Sequence, residues 1–427
     1  MASSLIGSRV ERKEDKKFLT GKGRYTSDIN LANQTYAYFI RSPHARATIS
    51  KVDISKASKA PGVVRILTGN DLAKDKIGGL IAGWKIVSQD GTDMKCPPHP
   101  PLASNTVNFV GDHVAVVIAE TLDQAKDAAE KVRVDYKVLK AVVNTGDAMN
   151  SKAIHDGIDK NLCYDFLLGD KGKTDEAFSK ADKVVKLDLV NNRLIPNAME
   201  PRAAIGDYNP SSEELTLYTA SQNPHLSRLI LSAFNAIHPE HKFRVVAPDV
   251  GGGFGSKAGA YPTLSIPAHM SKKINRPVMM HISRTEEYFL GSARSGFQGR
   301  IKVGFQSNGR ISALDLYVVQ ENGAYSGFGD SQSAGGAASM VYTPGAMRFR
   351  SIRVYTNTPM RGAQRGPGQN QIACAIEPLI DKAAAQLGID RLAIRRINAP
   401  DSKSKVGGRQ GPVTSAYMKE ALAKGGR

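Results

Sequence analysis

A glycine-rich segment, 249–257 (DVGGGFGSK), has the residue types and spacing best suited to chemistry in this chain. An apolar stretch, 243–247, predicts a strand before it, and a small-residue stretch, 258–273, predicts a helix after it. Glycines let backbone N–H groups approach an anion closely, and a following helix N-terminus adds partial positive charge. The segment therefore predicts a turn for an anionic cofactor, although a purely structural turn with close packing fits it about equally well.

Two phosphate-binding motifs come close to this segment but fail at specific positions. A P-loop requires Gly before the Lys and Ser or Thr after it, whereas Ser256 and Ala258 flank Lys257. A dinucleotide fingerprint requires Gly or Ala where Ser256 stands, and this segment lies far from the N-terminus. The sequence thus argues against nucleoside triphosphate binding and does not match a dinucleotide site.

A second glycine-rich, cationic loop, 359–371 (PMRGAQRGPGQNQ), lies between a predicted strand at 352–355 and a predicted helix at 372–387. Two such turns could face one anion, and Arg365 would add a forked donor suited to phosphate. The alternative for Arg365 is a surface salt bridge, which is the default for an isolated arginine.

The composition is that of an ordinary globular protein of 427 residues, with 41% hydrophobic and 23% charged residues. The length predicts two or three packed units. The net charge of +18 suits nucleic acid, an anionic ligand or an acidic partner. The basic residues are spread along the chain without a nucleic-acid-binding motif, so a solvated basic surface is favoured over nucleic-acid binding.

Neither a membrane span nor a secretory signal is predicted. No run of about 18 apolar residues is present, and the start of the chain lacks an apolar signal core. We therefore expect a cytoplasmic chain.

The three cysteines, Cys96, Cys163 and Cys374, lie far apart and form no C-x-x-C pair. This spacing argues against a disulfide framework, a zinc site or an iron–sulfur cluster held by this chain alone. Cys374 lies inside the helix predicted after the second loop, where we expect a buried structural thiol.

Hydrophobic periodicity predicts strands and helices in alternation, with a compact α+β unit that ends near residue 141. Further strands are predicted at 35–41, 47–54, 63–67, 114–119, 134–138, 183–190, 215–220, 277–281, 299–303 and 311–320. Further helices are predicted at 122–132, 225–236 and 416–424, the last with Ser415 as N-cap. Three stretches are predicted to be irregular: 75–105 over a surface, 142–182 as a polar connector with short elements, and 327–340 as a flexible or ligand-facing loop.

With these motifs, the sequence resembles the molybdenum-binding large subunit of the xanthine oxidase family, the molybdenum hydroxylases. The resemblance covers nearly the whole chain and depends on the order and spacing of short segments that are each weak alone. The matching segments are 21–25 (GKGRY), 41–45 (RSPHA), 135–136 (DY), 199–202 (MEPR), 221–225 (SQNPH), 251–257 (GGGFGSK), 322–325 (NGAY), 361–371 (RGAQRGPGQNQ) and 395–398 (RRIN). The resemblance implies an α+β fold with an N-terminal arm at 1–15, the family's a/b hammerhead domain at 16–141 and the first half of its molybdopterin-binding domain at 142–427.

The family holds molybdenum through a pterin dithiolene, so the resemblance implies molybdopterin, with a cytosine dinucleotide form as one alternative, and no metal ligand from this chain. Gln222 matches the glutamine that hydrogen-bonds the apical oxo group, with a solvent-facing turn residue as the alternative. The implied catalytic positions are Gln222 and Phe254, and the implied cofactor-binding positions are Gly252, Gly253, Phe254, Gly255, Arg365 and Gly366. The implied reaction is hydroxylation of an N-heteroaromatic or aldehyde-like carbon with water as the oxygen source, because the metal lowers the pKa of its bound water.

Three positions depart from family members of known specificity. Xanthine-oxidising members carry a glutamate where Ala258 stands and a phenylalanine where Pro367 stands, which argues against a purine substrate. Carbon monoxide dehydrogenases carry a copper-binding cysteine where Gly366 stands, which argues against carbon monoxide oxidation.

The family's large subunit extends well beyond the length of this chain, and its remaining part supplies further pterin contacts and the catalytic glutamate. No carboxylate here matches that base, since Glu200 and Glu377, each followed by Pro, look like fold-supporting positions. Nicotinate dehydrogenase divides this subunit into two polypeptides, so the resemblance implies a second molybdopterin subunit that bears the catalytic glutamate. It also implies an iron–sulfur subunit and a flavin (FAD) subunit, because this chain has a motif for neither.

Two other functions stay open at this point. A reductive family member of the hydroxybenzoyl-coenzyme A reductase type would run electrons in the opposite direction. A non-catalytic basic scaffold or nucleic-acid binder would bind DNA in a strongly salt-dependent way and contain no molybdenum. The combination of Gln222, Phe254 and Arg365 favours the enzyme.

Overall fold

The computed structural model describes residues 6–81, 85–259, 261–327, 329–404, 413 and 415–426 of the chain. The strands of this described part are, in chain order, β1 (Thr35–Arg41), β2 (Ala47–Asp53), β3 (Val63–Thr68), β4 (Thr106–Val107), β5 (His113–Ala119), β6 (Arg133–Val138), β7 (Leu162–Gly169), β8 (Lys183–Asn191), β9 (Ala203–Asn209), β10 (Glu214–Thr219), β11 (Phe243–Val246), β12 (Val278–His281), β13 (Phe297–Phe305), β14 (Ile311–Glu321) and β15 (Ala346–Val354). Its α-helices are α1 (Asp15–Leu19), α2 (Gly69–Lys74), α3 (Leu122–Ala129), α4 (Lys171–Ser179), α5 (Pro224–Ala233), α6 (Pro262–Ile274), α7 (Arg284–Leu290), α8 (Ser331–Met340), α9 (Gln369–Leu387), α10 (Arg391–Asn398) and α11 (Met418–Gly425).

A seven-stranded sheet, in the order β11-β10-β9-β12-β1-β5-β3, joins strands from both parts of the chain. β5 (HVAVVIA) is buried along its whole length, as expected of an apolar strand covered on both faces. The join is a parallel pairing of β1 with β12, in which Thr35 lies beside Val278. Helix α6 packs against β9 and β12 and contributes Ile266, Ala268 and Met270 to the core. The sheet thus continues across the division predicted near residue 141, and that division stays a prediction.

A five-stranded sheet has the order β7-β15-β14-β13-β8, and its strand β15 precedes the second loop in the chain. Buried and partly exposed residues alternate along most of β14, so one face of this sheet forms a core and the other faces outward. Helix α9 covers the inner face with a helically spaced apolar stripe of Ile372, Ile376, Leu379 and Ile380. A third, three-stranded sheet has the order β4-β2-β6.

The α+β class and most of the predicted strands are confirmed, with strand bounds within two residues of the expected ones. β15 is an exception, because it begins at Ala346 rather than 352. The helix after the glycine turn begins at Pro262 rather than 258, since proline favours the first turn of a helix. The last helix has Tyr417 at its N-cap rather than Ser415.

The prediction of a flexible or ligand-facing loop at 327–340 is wrong for most of that stretch, because Ser331–Met340 form helix α8. The small side chains that suggested a loop instead allow close packing. A Cβ atom at Gly335 would lie 2.8 Å from a Leu168 side-chain atom and 2.9 Å from a Phe349 side-chain atom. The lack of large side chains therefore reflects close packing of α8 against β7 and β15 rather than mobility.

The polar connector predicted at 142–182 contains β7, whose Cys163 and Tyr164 are buried, and α4, whose N-cap Asp170 accepts a hydrogen bond from the Lys173 N–H. β9 was not predicted. Gly206 interrupts its apolar pattern because helix α6 lies against it: a Cβ there would be 2.2 Å from the Pro267 carbonyl oxygen.

The stretch 75–105 is irregular as expected wherever it is described, but Ile86, Met94 and Leu102 are buried in the cores rather than lying over a surface. The expectation of a buried Cys374 is wrong, since its side chain is exposed, whereas Cys163 is the buried thiol. Among the described residues, no helix is long and apolar enough to cross a bilayer, and no three His, Cys, Asp or Glu side chains form a group suited to a metal ion.

Candidate functional site

The glycine turn begins where β11 ends, and the N-terminal part of the chain anchors it. The Asp249 carboxylate accepts hydrogen bonds from Lys17 Nζ at 2.5 Å and from the Arg24 N–H at 2.7 Å. The Asp249 N–H in turn donates to the Arg24 carbonyl at 3.1 Å. The two bonds to the carboxylate are charge-assisted, and the three bonds together fix the entry to the turn.

The turn itself uses backbone conformations that favour glycine. Gly252 and Gly255 both have φ values of +97°, and Phe254 between them has φ +54°. A left-handed conformation is unusual for a bulky residue and is sustained only where the surroundings impose it. It leaves the Phe254 side chain 41% exposed at the tip of the turn.

Three successive N–H groups of this tip, those of Gly252, Gly253 and Phe254, have no hydrogen-bond acceptor within the described part of the chain. Consecutive backbone donors in a glycine turn form a concave site for an anion. This donor set is the local feature that fits an anionic cofactor.

Gln222 braces the turn from the opposite side. It lies just before the N-cap of α5, and its Oε1 accepts hydrogen bonds from the Gly255 N–H at 2.8 Å and the Lys257 N–H at 3.1 Å. Because Oε1 is occupied by the turn, the NH₂ group is the part of this exposed side chain left to donate elsewhere. A Cβ atom at Gly253 would lie 2.4 Å from the Gln222 side chain, so this contact requires glycine.

A buried ion pair supports the turn from beneath. Lys257 Nζ donates to Glu200 Oε2 at 2.9 Å and to the Glu200 carbonyl at 2.7 Å. The Lys257 side chain is 1% exposed and the Glu200 side chain 8%. The same Oε2 accepts the Gly251 N–H at 2.8 Å. Burial lowers the pKa of the Lys257 ammonium, and the Glu200 carboxylate offsets part of this effect. The lysine that gave the segment its resemblance to a P-loop thus points inward rather than at a ligand.

The second loop meets the tip of the glycine turn directly. The Arg365 N–H donates to the Phe254 carbonyl at 2.6 Å, and the Arg365 guanidinium lies 5.7 Å from the centre of the Phe254 ring. The Arg365 carbonyl accepts from Arg294 at 2.7 Å and from Asn370 at 3.0 Å. Gly366 follows with φ +76°, so the chain turns away at once after this contact.

A buried charge network fixes the base of the second loop. The Asp330 carboxylate pairs with Arg353 on β15 and with Arg361 at the start of the loop, and all three side chains are at most 1% exposed. Burial alone would raise the pKa of Asp330, but the two guanidinium groups hold it below its usual value. Removing the Asp330 carboxylate would leave two buried guanidinium groups without their shared counter-ion, so this network constrains where the loop begins.

The structure therefore brings together the residues that the resemblance assigns to the site. One exposed corner is formed by Gln222, Gly252, Gly253, Phe254, Gly255, Arg365 and Gly366. The supporting pairs escaped sequence reasoning, apart from Glu200, which was assigned to the fold. Glu200 and its partner Lys257 are 57 positions apart in the chain. Asp330 is 23 positions from Arg353 and 31 positions from Arg361, and no local pattern indicates such contacts.

Comparison with known proteins identifies the architecture. Residues 154–399 match the molybdopterin cofactor-binding domain, and residues 20–140 match the a/b hammerhead domain of aldehyde oxidase and xanthine dehydrogenase. The chain belongs to the molybdenum hydroxylase family. The predicted order, a hammerhead domain before a molybdopterin-binding domain, is confirmed for this molybdenum hydroxylase chain.

Two curated relatives illustrate the range of the likeness. The chain is 31% identical to the nicotine 6-hydroxylase large subunit of Paenarthrobacter nicotinovorans over 92% of its own length and 48% of that protein. It is 29% identical to the nicotinate dehydrogenase large molybdopterin subunit of Eubacterium barkeri over 98% of its own length and 95% of that protein. The chain thus spans about half the length of several curated relatives that it matches and nearly all of this one.

A solved structure shows the same fold. The molybdenum hydroxylase chain resembles the crystal structure of quinoline 2-oxidoreductase from Pseudomonas putida 86 with a TM-score of 0.90 and 31% sequence identity. The match covers 98% of this chain and 53% of that one.

Proposed function

We propose that this chain is the molybdopterin-binding subunit of a multi-subunit molybdenum hydroxylase, and that the corner between Phe254 and Arg365 holds the cofactor. The observation that carries the proposal is the 2.6 Å hydrogen bond from the Arg365 N–H to the Phe254 carbonyl. Through this bond the backbone donors of the glycine turn and the Arg365 guanidinium lie close together. The N–H groups of Gly252, Gly253 and Phe254, which have no acceptor among the described residues, form a donor set that suits the anionic groups of a pterin cofactor.

Each side chain at this corner has a distinct task. The Gln222 Oε1 accepts hydrogen bonds from the turn, so its NH₂ group would be the part that donates to the cofactor. This NH₂ group is neutral and stays neutral when the oxidation state of the metal changes. Arg365 would offer a forked cationic donor. Phe254 would offer its backbone N–H to the cofactor, while Lys257 and Glu200 hold the turn in shape. When bound, the molybdenum cofactor supplies the two-electron oxidation and the activation of water.

The substrate that best fits is an N-heteroaromatic or aldehyde-like compound, hydroxylated at an electron-poor carbon. Relatives with such substrates in their names, nicotine 6-hydroxylase and quinoline 2-oxidoreductase, support this class. Ala258 and Pro367 stand where xanthine-oxidising members carry glutamate and phenylalanine, which argues against a purine substrate. Gly366 stands where carbon monoxide dehydrogenases carry a cysteine, which argues against carbon monoxide.

The surface beside the corner supports the proposal of a partner chain. Exposed apolar side chains lie on the segments beside the turn: Met199 is 88% exposed, Tyr288 43% and Phe289 51%. We infer that a second molybdopterin polypeptide covers this surface and contributes the catalytic glutamate, as the near full-length match to a large molybdopterin subunit suggests. Iron–sulfur and FAD subunits would carry the electrons away. The cytosine dinucleotide form of the cofactor and a cytoplasmic location stay predictions.

Co-expression of this chain with a candidate second molybdopterin polypeptide tests the proposal. The purified assembly should contain molybdenum and pterin and should reduce a dye with a heteroaromatic substrate. Turnover only in the reverse direction, with a reduced viologen as donor, would favour a reductive enzyme instead. An assembly without molybdenum that binds DNA in a salt-dependent manner would contradict the proposal.

A further inference from the structure

The outward face of the five-stranded sheet carries a groove of about 680 Å³ beside helix α4. Six cationic side chains line it: Lys171, Lys186, Arg300, Lys302, Arg348 and Arg350. None belongs to the glycine turn or to the second loop, so this cationic groove lies outside the proposed cofactor site.

Two of these cations already hold carboxylates in forked geometry. Arg350 donates to both oxygens of Asp165, at 3.0 and 2.7 Å, and Arg348 donates to both oxygens of Asp315. Lys171 likewise donates to Asp175 at 2.7 Å. These three cations are therefore paired with the chain's own carboxylates, and acidic residues are interleaved among the cations of the groove.

The other side of the groove has positive charge without such partners. Lys186 and Lys302 lie directly opposite each other on the neighbouring strands β8 and β13, and neither has a carboxylate within 4.0 Å among the described residues. Arg300 is 3.6 Å from Asp188, but this pair is largely exposed and therefore weak. Like charges directly opposite each other on adjacent strands destabilise a sheet, and an anion bound between them would remove the cost.

We propose that the cationic groove docks a carboxylate-bearing segment of a partner protein. A protein partner is favoured over nucleic acid because Asp165, Asp188 and Asp315 stand among the cations, where they would repel a continuous row of phosphates. An acidic protein surface with its own scattered basic residues can match both signs. The net charge of +18 on the chain would steer such a partner toward it.

The test uses the full chain and two probes, a labelled polyglutamate peptide and a duplex DNA of the same net charge. The groove variant combines Lys186→Gln, Arg300→Gln and Lys302→Gln. The matched control combines Lys56→Gln, Lys131→Gln and Lys137→Gln, which remove the same charge from exposed positions outside the groove. Thermal unfolding is compared first. The groove variant relieves the opposition of Lys186 and Lys302 but removes the contact of Lys302 Nζ with the Phe178 ring at 3.8 Å, so we expect a midpoint close to that of the wild type.

We expect the groove variant to bind polyglutamate about 10-fold more weakly than wild type, with a shallower dependence on salt, and the control to change by less than about 2-fold. Equal weakening by both variants would overturn the proposal, since it would show a non-specific charge effect. Preferential loss of DNA binding in the groove variant would also overturn it and assign the face to nucleic acid. Neither result bears on molybdenum content, which tests the proposed function separately.

Discussion

The Arg365 N–H donates to the Phe254 carbonyl at 2.6 Å, which joins two glycine-rich loops that are more than a hundred residues apart in the chain. The contact holds Phe254 in its left-handed conformation, with φ +54°, and turns its ring toward the Arg365 guanidinium. Backbone strain of this kind persists only where the surroundings impose it, and such positions cluster at functional sites. The relationship makes the two loops one structural unit.

Gly253→Ala should disturb this unit, whereas Gly259→Ala should not. The new Cβ at position 253 would lie 2.4 Å from the Gln222 side chain, and at position 259 it would meet nothing within 4 Å. We expect Gly253→Ala to lower the free energy of unfolding by about 1–3 kcal/mol, and Gly259→Ala to change it by less than about 0.5 kcal/mol. Denaturant unfolding of both variants measures this, and equal effects would contradict the described contact.

Gln222→Glu and Gln222→Ala should separate the structural from the chemical task of this residue. A carboxylate still accepts hydrogen bonds from the Gly255 and Lys257 N–H groups, so we expect Gln222→Glu to keep the stability of the wild type. We expect it to lose cofactor-dependent activity, because a carboxylate has no NH₂ group to donate. Gln222→Ala loses both tasks and should cost about 1 kcal/mol of stability as well. Unfolding and turnover are measured on the same preparations. Full activity in Gln222→Glu would show that the donor is not used.

Lys257→Met should be strongly destabilising because it leaves the Glu200 carboxylate buried without its cation. The expected loss is about 3 kcal/mol or more. Lys180→Met is the control, since Lys180 pairs with Glu176 at the surface, with exposed fractions of 71% and 63%. Such a pair contributes less than about 1 kcal/mol. Chemical denaturation compares the two, and a loss of similar size in both would refute the supporting role of the buried pair.

Asp112 should make the stability of the chain depend on pH. Burial raises the pKa of this carboxyl to about 7 in the folded chain. Because the folded value lies above the unfolded one, its contribution to stability is fully present below the unfolded pKa, near 4, and is lost as the pH rises through about 7. Asp112→Asn should therefore reduce the loss between pH 4 and pH 7 by on the order of 3 kcal/mol. Asp123→Asn, at an exposed position, is the control, and identical pH profiles for wild type and Asp112→Asn would contradict the prediction.

Local sequence patterns predicted the glycine turn, the second loop and most strands because these depend on composition and period. The identity of the site residues came from family resemblance, and the structure adds only that they meet. Helix α8 was missed because Ser, Gly and Ala are equally typical of loops and of tightly packed helices. The Lys257–Glu200 pair and the Asp330 network could not be predicted, since partners distant in the chain leave no periodic signal.

The central claim is that the glycine turn and the second loop hold one cofactor. The molybdenum content of the assembled enzyme tests it most directly, because a variant in one loop can be compared with a variant in the other. Gly253→Ala alters the glycine turn and Arg365→Met alters the second loop, with Gly259→Ala as the control. If both loops hold one cofactor, elemental analysis should find stoichiometric molybdenum in the wild type and the control, and a clear loss in each of the two site variants. A wild-type assembly without molybdenum, or a loss confined to one loop, would contradict the account.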